Sequence, residues 1–465
     1  MRNIDYLTIK NFVENNIDFI IGARIQKIQQ PTRKDFIFAL RNNGESRKLY
    51  VNINPQFYHI AFASDENLKK RGIIIPKQPP MFCMLLRKYL EGVKVSDVLP
   101  VEGERIVEFH FEITDELSQN RSLCLAIELM GKHSNVILYD RETSVIIGCA
   151  HNIGAEKSKY RELQGGLKYV LPPHVNTKNI ITSPNFKVSE IDNYFADLQE
   201  NMNLKAEKEK LTKMSQCKLK KVLTSTDKIS ALLKKRDNTE KYKLYGELLT
   251  ANLYQKKDYS KEIEVWDYIN NQNIKIELDE TKTLNENAQR YYKLYTKSKT
   301  TKEKSEQLLK DLTIEKEYIE NILYSISSAK KVTELSEIKD ELGISSEVKA
   351  KRENPKVEKV VINGFDIYIG KNNKQNDYII SKLSKDEDYW FHTRLCAGSH
   401  VLLKIKEKEP DERTIFECAK LARRFSSASQ PSKVGVIYTK RKFIKKPPAA
   451  PLGYVIYKNE KEILV

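Results

Sequence analysis

The placement of proline limits what this chain can fold into more than any other feature. All 15 prolines lie outside residues 187–354. A proline inside a helix removes a backbone hydrogen bond and clashes with the preceding turn, so a stretch this long without one leaves room for very long helices. Within it Leu204 and Leu211, and Val222 and Ile229, keep a seven-residue step. Leu312, Ile319 and Ile326 keep the same step, with Ile322 between them. Two long helices with a narrow apolar seam are predicted. Between them EIEVWDYI at 262–269 and IKIELD at 274–279 alternate apolar and polar residues around Asn270-Asn271-Gln272-Asn273, the pattern of a β-hairpin. The helices that flank it should pair antiparallel. Dense Lys and Glu on their other faces, with few aromatics, suit a coiled coil better than two helices inside a globular core.

The flanks read differently. The first 173 residues alternate short apolar runs with turn residues, as at 35–54, where Asn42-Asn43-Gly44 is a hairpin signal. Further strand-like runs cover 105–114, 123–130 and 135–140, and a helix at 81–92 is introduced by Pro79-Pro80 and ended by Gly92. Towards the C-terminus strands are expected at 365–369, 400–405, 434–438 and 454–457. One helix at 414–425 turns Ile415, Cys418, Leu421, Ala422 and Phe425 inward and leaves Lys420, Arg423 and Arg424 outside. The fold class expected is α+β multidomain. A β-rich N-terminal domain (1–173) is followed by a linker (174–193), an antiparallel coiled-coil hairpin with a small β element (194–345) and a C-terminal α+β domain (350–465).

Charge gives the first hint of a partner. The net charge is +17, and residues 351–465 hold 24 basic against 14 acidic side chains. From Cys418 to Asn459 there are ten Lys or Arg and no Asp or Glu. A stretch of that kind should set up a positive field suited to a polyanion such as nucleic acid, although a Lys-rich chain can also reflect genome base composition. The six cysteines show no CxxC pair, so no disulfide framework or zinc site is suggested and a reducing, cytoplasmic setting is expected. No apolar run approaches the length of a membrane span or a signal peptide, so no membrane partner is expected.

Four C-terminal blocks then narrow the reading: GFDIYIGKNNKQND at 364–377, DYWFHTR at 388–394, GSHV at 398–401 and KVGVIYTKRKFIKKPPAAPLGYVIY at 433–457. Together they resemble the RNA-binding domain of the NFACT family, whose older name is fibronectin-binding protein A. The N-terminal half agrees through IQKIQQP (25–31), PPMFCMLLRKYLEG (79–92), ELMGKHSN (128–135) and SKYRELQGGLKYVLPP (158–173). The middle adds YGELLTANLYQ (245–255) and NENAQRYYKLY (285–295). The resemblance covers nearly the whole chain and departs from the family in two places. Relatives usually carry a helix-hairpin-helix module ahead of the first long helix, and residues 174–193 hold no glycine for its hairpin, so the module reads as missing. Where relatives use an Asp-Arg pair to recruit tRNA, this chain has Glu104-Arg105.

The resemblance implies a ribosome quality-control factor that binds large ribosomal subunits obstructed by a peptidyl-tRNA nascent chain. Such a factor contacts rRNA and stalk proteins, recruits aminoacyl-tRNA (alanyl-tRNA in bacteria), and promotes mRNA-independent C-terminal tailing of the stalled peptide. It implies tRNA contact at Glu104, Arg105, Lys132, His133 and Asn135, although Glu104-Arg105 also reads as a surface ion pair and 131–135 as a polar turn. For rRNA the expected residues are Lys371, Lys374, Trp390, His392, Arg394, His400, Arg423, Arg424, Lys440, Arg441, Lys442, Lys445 and Lys446. Asp388 and the nearby histidines invite an acid–base reading, but no nucleophile accompanies them, and core packing or RNA stacking suits them better. The family's N-terminal fold resembles formamidopyrimidine-type DNA glycosylases, which attack with an N-terminal proline amine and carry a four-cysteine zinc finger. This chain begins Met1-Arg2 and has no such finger, so no catalytic residue, cofactor or metal is expected. A surface adhesin that binds fibronectin is the alternative from a different class.

Overall fold

The computed structural model describes residues 2–114, 120–156, 160–173, 183–235, 238–255, 257–344, 354–394, 396–406, 408–428 and 434–465. The chain divides into two compact units, Met1–Asn203 and Leu204–Val465.

The first unit opens with α1 (Tyr6–Glu14), capped by Asp5, whose carboxylate accepts from the Thr8 backbone N–H at 2.6 Å. A short α2 (Ile17–Ile20) leads into an antiparallel meander of β1 (Arg24–Thr32), β2 (Asp35–Asn42), β3 (Glu45–Asn52) and β4 (His59–Phe62). The predicted hairpin turn joins β2 to β3, with Asn43 and Gly44 both at positive φ, the two-residue geometry that matches strand twist. Helices α3 (Asp65–Lys70) and α4 (Met81–Leu90) precede a second meander of β5 (Val95–Pro100), β6 (Ile106–Thr114), β7 (Asn120–Glu128), β8 (Asn135–Asp140) and β9 (Ile146–Cys149).

Period-two alternation sorts the side chains of β6. Val107, Phe109 and Phe111 enter the main core shared by both sheets. Ile106 faces a smaller apolar cluster on the outer side of the second sheet, with Cys124, Ala126, Ile137 and Leu163. Residues 174–182, most of the expected linker, lie outside the described residues. The first long helix, α5 (Val188–Lys235), starts earlier than expected, because Ile191, Phe195 and Ala196 in its opening turns are buried in the first unit's core.

In the second unit α5 continues, followed by α6 (Thr239–Ala251), the ribbon β10 (Glu262–Asp267) and β11 (Gln272–Glu277), α7 (Leu284–Ser328) and α8 (Val332–Glu341). The long helices pair antiparallel. Lys208 Nζ of α5 reaches the Ser327 carbonyl of α7 at 2.8 Å, and farther along α7 the first residue of α6 packs on it, Thr239 Oγ1 meeting Ser298 Oγ at 2.8 Å. The predicted seam is buried at Leu211, Val222, Ile319, Ile322 and Ile326. A capping box of Thr283 and Glu286 starts α7 just after the ribbon.

The C-terminal strands are β12 (Glu358–Ile362), β13 (Phe365–Ile369), β14 (Tyr389–Thr393), β15 (Val401–Leu403), β16 (Gly435–Lys440), the short pair β17 (Ile444–Lys445) and β18 (Ile456–Tyr457), and β19 (Lys461–Leu464). Six form one antiparallel sheet in the order β12-β13-β15-β14-β16-β19. Helix α9 (Asn373–Tyr378) follows β13, and α10 (Glu412–Arg424) covers one face of the sheet with Cys418, Ala419 and Ala422 against Phe391 and Val436. Trp390, one residue from Phe391, enters the opposite core with Ile379, Leu402 and Ile444.

Candidate nucleic-acid interface

Arg105 sits where the chain enters β6. Its Nη1 donates to the Tyr58 hydroxyl at 2.8 Å, and its guanidinium lies 5.5 Å from the centre of the Tyr58 ring, which holds the half-buried arm in place. Its backbone carbonyl accepts from Leu129 at 2.8 Å, which puts Glu104 and Arg105 beside the chain leaving β7. There the tight turn Gly131–His133 leaves Lys132 and His133 exposed. Gly131 has a φ of +68°, and a Cβ there would lie 3.7 Å from both the Tyr58 ring and the Pro55 carbonyl, so Tyr58 borders the turn as well as Arg105. The fold thus gathers Glu104, Arg105, Lys132 and His133 at one end of a sheet.

Asn135 departs from the expectation. It is fully buried; its Nδ2 donates to the His151 carbonyl at 2.9 Å and its Oδ1 accepts from the His151 N–H at 3.0 Å. It clamps two backbone segments and presents nothing to a ligand. Burial first, then the positive charges of Lys34 and Arg33, hold the His151 pKa below its ordinary value. The Lys34 carbonyl accepts from the Ile53 N–H at 2.9 Å, two residues before Pro55, whose carbonyl borders Gly131, so Arg33 and Lys34 lie near this end too. They are adjacent cations in the turn between two strand patterns, a signal that sequence reasoning passed over.

At the C-terminal end the aromatic expectation changes more. Trp390 is 1% and His400 4% exposed, so neither offers a ring face to an outer RNA surface. The Trp390 ring stacks parallel to His392 at 5.8 Å and meets His400 edge-on at 5.2 Å. Desolvation pushes His392 down to about 4, and burial with the neighbouring His392 pushes His400 well below its usual value, so both rings are neutral near pH 7. Asp388 is also buried. Its oxygens accept from Lys404 Nζ at 2.5 Å, from the Lys385 N–H at 2.7 Å and from the Ile405 N–H at 2.9 Å. It staples the loop before β14 to the chain leaving β15.

The acid-free stretch is not an unmatched positive field, because acids distant in sequence fold against it. Lys440 pairs with Glu387 at 2.8 Å and Glu409 at 3.0 Å, Lys442 with Glu387 at 2.8 Å, and Lys446 with Asp377. Arg441 turns inward, with Nε donating to the Ser384 hydroxyl at 3.0 Å and Nη1 to the Ile444 carbonyl at 2.8 Å. Arg394 pairs with Glu462 at 2.5 Å, Lys371 with Glu358 at 2.8 Å, and Lys374 with Asp340 at 3.9 Å. Lys445 is exposed and makes no ion pair among the described residues. Arg423 and Arg424 close α10, Arg424 exposed beside Phe425.

The GKNNKQND block is a latch. Asn372 and Gln375 donate to Glu337 at 2.6 and 2.8 Å, and Asn373 donates to Glu341 at 2.9 Å, tying α9 to α8.

One group among the described residues has metal-ligand spacing: Glu108, His110 and Cys124, with donor atoms all within 4.8 Å of one another. The Tyr139 hydroxyl donates to Glu108 at 3.0 Å, a hydrogen bond from His110 holds the Glu108 carboxyl below its ordinary value, and burial pushes the Cys124 thiol far up, so the thiol stays protonated. Among the described residues no helix is long and apolar enough to cross a membrane.

Comparison with known proteins accounts for both ends together. The profile of the NFACT N-terminal and middle domains matches residues 5–191 and 188–360, and that of the NFACT protein RNA binding domain matches 359–459. The Rqc2 homolog RqcH of Bacillus subtilis (strain 168) is 30% identical, in an alignment that covers 96% of this chain and 95% of that protein. The Rqc2 homolog RqcH of Streptococcus pneumoniae serotype 2 is 27% identical, covering 100% of this chain and 98% of the relative. Among solved structures, the C-terminal part of the fibronectin/fibrinogen-binding protein from Streptococcus suis is 26% identical, with a TM-score of 0.45, covering 56% of this chain and 94% of that one. Domain matches that run almost unbroken from residue 5 to residue 459 make this chain a member of the NFACT family.

Proposed function

We propose that this protein is a ribosome-associated quality-control factor. It binds a large ribosomal subunit obstructed by peptidyl-tRNA, holds aminoacyl-tRNA (alanyl-tRNA in a bacterium) where the peptidyl-transferase centre can use it, and so promotes mRNA-independent tailing of the stalled chain. Bond formation belongs to the ribosome, and the protein contributes proximity and orientation. The observation that carries this reading is the gathering of Arg105, Lys132, His133, Arg33 and Lys34 at one end of the first unit, in a chain whose other end matches an RNA-binding domain. An anchored guanidinium can bind a phosphate or a base edge through two parallel bonds, and Glu104 beside it can accept from exocyclic amines of unstacked loop nucleotides.

The chain does this without a helix-hairpin-helix module. In support, the family profile matches in two pieces that meet at 188–191, and the B. subtilis alignment runs to 550 positions against 465 residues here. Pull-down of the tagged protein with sequencing of bound RNA is the test. Enrichment of rRNA and tRNA is expected. Recovery of neither, with retention on immobilised fibronectin, would replace this reading with the adhesin suggested by the name of the streptococcal structure.

A further inference from the structure

The motif residues DYWFHTR and GSHV are mostly buried, yet they do not close completely on themselves. Between α7 and the C-terminal sheet lies a cavity of about 360 Å³ bordered by Trp390, His400, Tyr454, Tyr457, Glu317 and Asn321. Asn321 Oδ1 accepts from the Gly398 N–H at 3.0 Å, which fixes α7 against the loop before β15 and keeps the cavity in shape. Trp390 Nε1 and His400 Nδ1 are both buried without a hydrogen-bond partner. Buried donors and acceptors are nearly always paired, so two orphaned ring nitrogens beside one cavity are a signature of something that completes them. The Trp390 and Tyr457 rings lie 5.6 Å apart, which makes the lining aromatic.

We propose that this cavity receives one unstacked nucleobase. The proposal rests on the RNA-binding reading above and adds the site and the ligand class. A phosphate is a poor fit, because Glu317 and Glu320 both line the cavity and, among the described residues, Lys316 is the one cation that does. A planar base fits on three counts. Its faces can lie against Tyr454 and Tyr457, a carbonyl can accept from the indole N–H, and amino or imino hydrogens can reach the Glu317 carboxylate. Guanine carries that donor and acceptor set on one edge. Neutral imidazoles at the floor suit an uncharged ring better than an anion. The volume is that of an ordinary small-ligand pocket. The base can come from an unpaired position in an RNA strand or from a free nucleotide.

The chain has two tryptophans, and Trp266 lies exposed on the β10–β11 ribbon, so Trp266→Phe leaves Trp390 as the only indole reporter. The full-length variant is titrated with GMP, with a short single-stranded RNA carrying one central guanosine, and with the same strand made abasic there. Trp390 emission is followed, and filter binding of isolated large subunits is measured in parallel. Saturable quenching by the guanosine strand and not by the abasic one is expected. Glu317→Gln, on a helix face where it should not disturb folding, and Tyr454→Ala should each weaken the effect about tenfold, the size of one base–aromatic contact. Quenching by GMP with none from the strand also supports the pocket and assigns it to a free nucleotide. Unchanged emission with every ligand, while large subunits still bind, overturns the pocket and leaves the ribosomal reading standing. Loss of subunit binding as well overturns both.

Discussion

Lys442 Nζ and Glu387 Oε1 meet at 2.8 Å across 55 residues of chain. Lys440 binds the same carboxylate, and hydrogen bonds from Lys440 and Lys442 hold Glu387 down at about 2. The densest basic run in the protein is therefore partly neutralised by its own fold. Its cations differ in what they can offer a polyanion.

Lys445, which makes no ion pair among the described residues, should contribute most to RNA affinity. Lys445→Ala should reduce the magnitude of the slope of log K against log salt by about 0.7 to 0.9, the value of one released counterion. Lys442→Ala should change it less, because its charge is already matched by Glu387. Binding to isolated large subunits at four salt concentrations measures both, and equal slopes for the two variants would refute the distinction.

Arg105→Ala should abolish tRNA recovery while subunit co-sedimentation persists. A charge-assisted bond contributes roughly 1.5–3 kcal/mol, so an affinity loss of about ten- to a hundredfold is expected. Arg105→Lys should fail as well, because an ammonium lacks the planar fork. Simultaneous loss of tRNA and subunit binding would show that the tRNA site lies elsewhere.

His59 links the first unit's stability to pH. Its ring is fully buried, stacks on Phe195 at 4.2 Å and lies near Arg71, and desolvation followed by the Arg71 charge pushes its pKa down to about 3. The unfolded chain takes up a proton near pH 6.5 and the folded one does not until about 3, so stability is full above pH 6.5 and falls as pH drops through that window. Urea unfolding of the intact protein, followed by a probe in the first unit at pH 7.5 and pH 5, should show this loss. His59→Phe should flatten the difference, and an identical pH dependence in the variant would assign it to other groups.

Glu128 is completely buried and takes both Arg161 nitrogens, at 2.8 and 2.5 Å, and the Tyr169 hydroxyl at 3.0 Å. Arg161→Ala leaves an unpaired carboxylate inside the protein and should cost about 3–5 kcal/mol. The double variant Glu128→Gln with Arg161→Leu should recover much of that by thermal unfolding. A single variant with unchanged stability would show that the pair is solvated.

Much of the fold was legible because the signals are local. The strands at 135–140 and 365–369 fall where alternation placed them. The heptad steps mark the buried seam of α5 and α7. The early start of α5 was not legible, because Ile191 and Phe195 belong to a core assembled from strands far earlier in the chain, as where Phe195 stacks on His59. Nor was the role of Asn135, since an amide in a turn looks the same whether it faces solvent or clamps the His151 backbone.

By itself the sequence determined the kinds of element, their order and the family, because helix seams, strand alternation and turn chemistry depend on neighbours within a few residues. Only the tertiary structure decided which polar groups remain available. It matched Lys440, Lys442 and Lys446 to acids from 377–409, folded Trp390 and His400 inward beside a cavity, and drew Arg33 and Lys34 towards the end of the sheet that carries Arg105. A charge or a ring nitrogen is satisfied by whatever lies within a few ångströms, and chain separation says nothing about that distance.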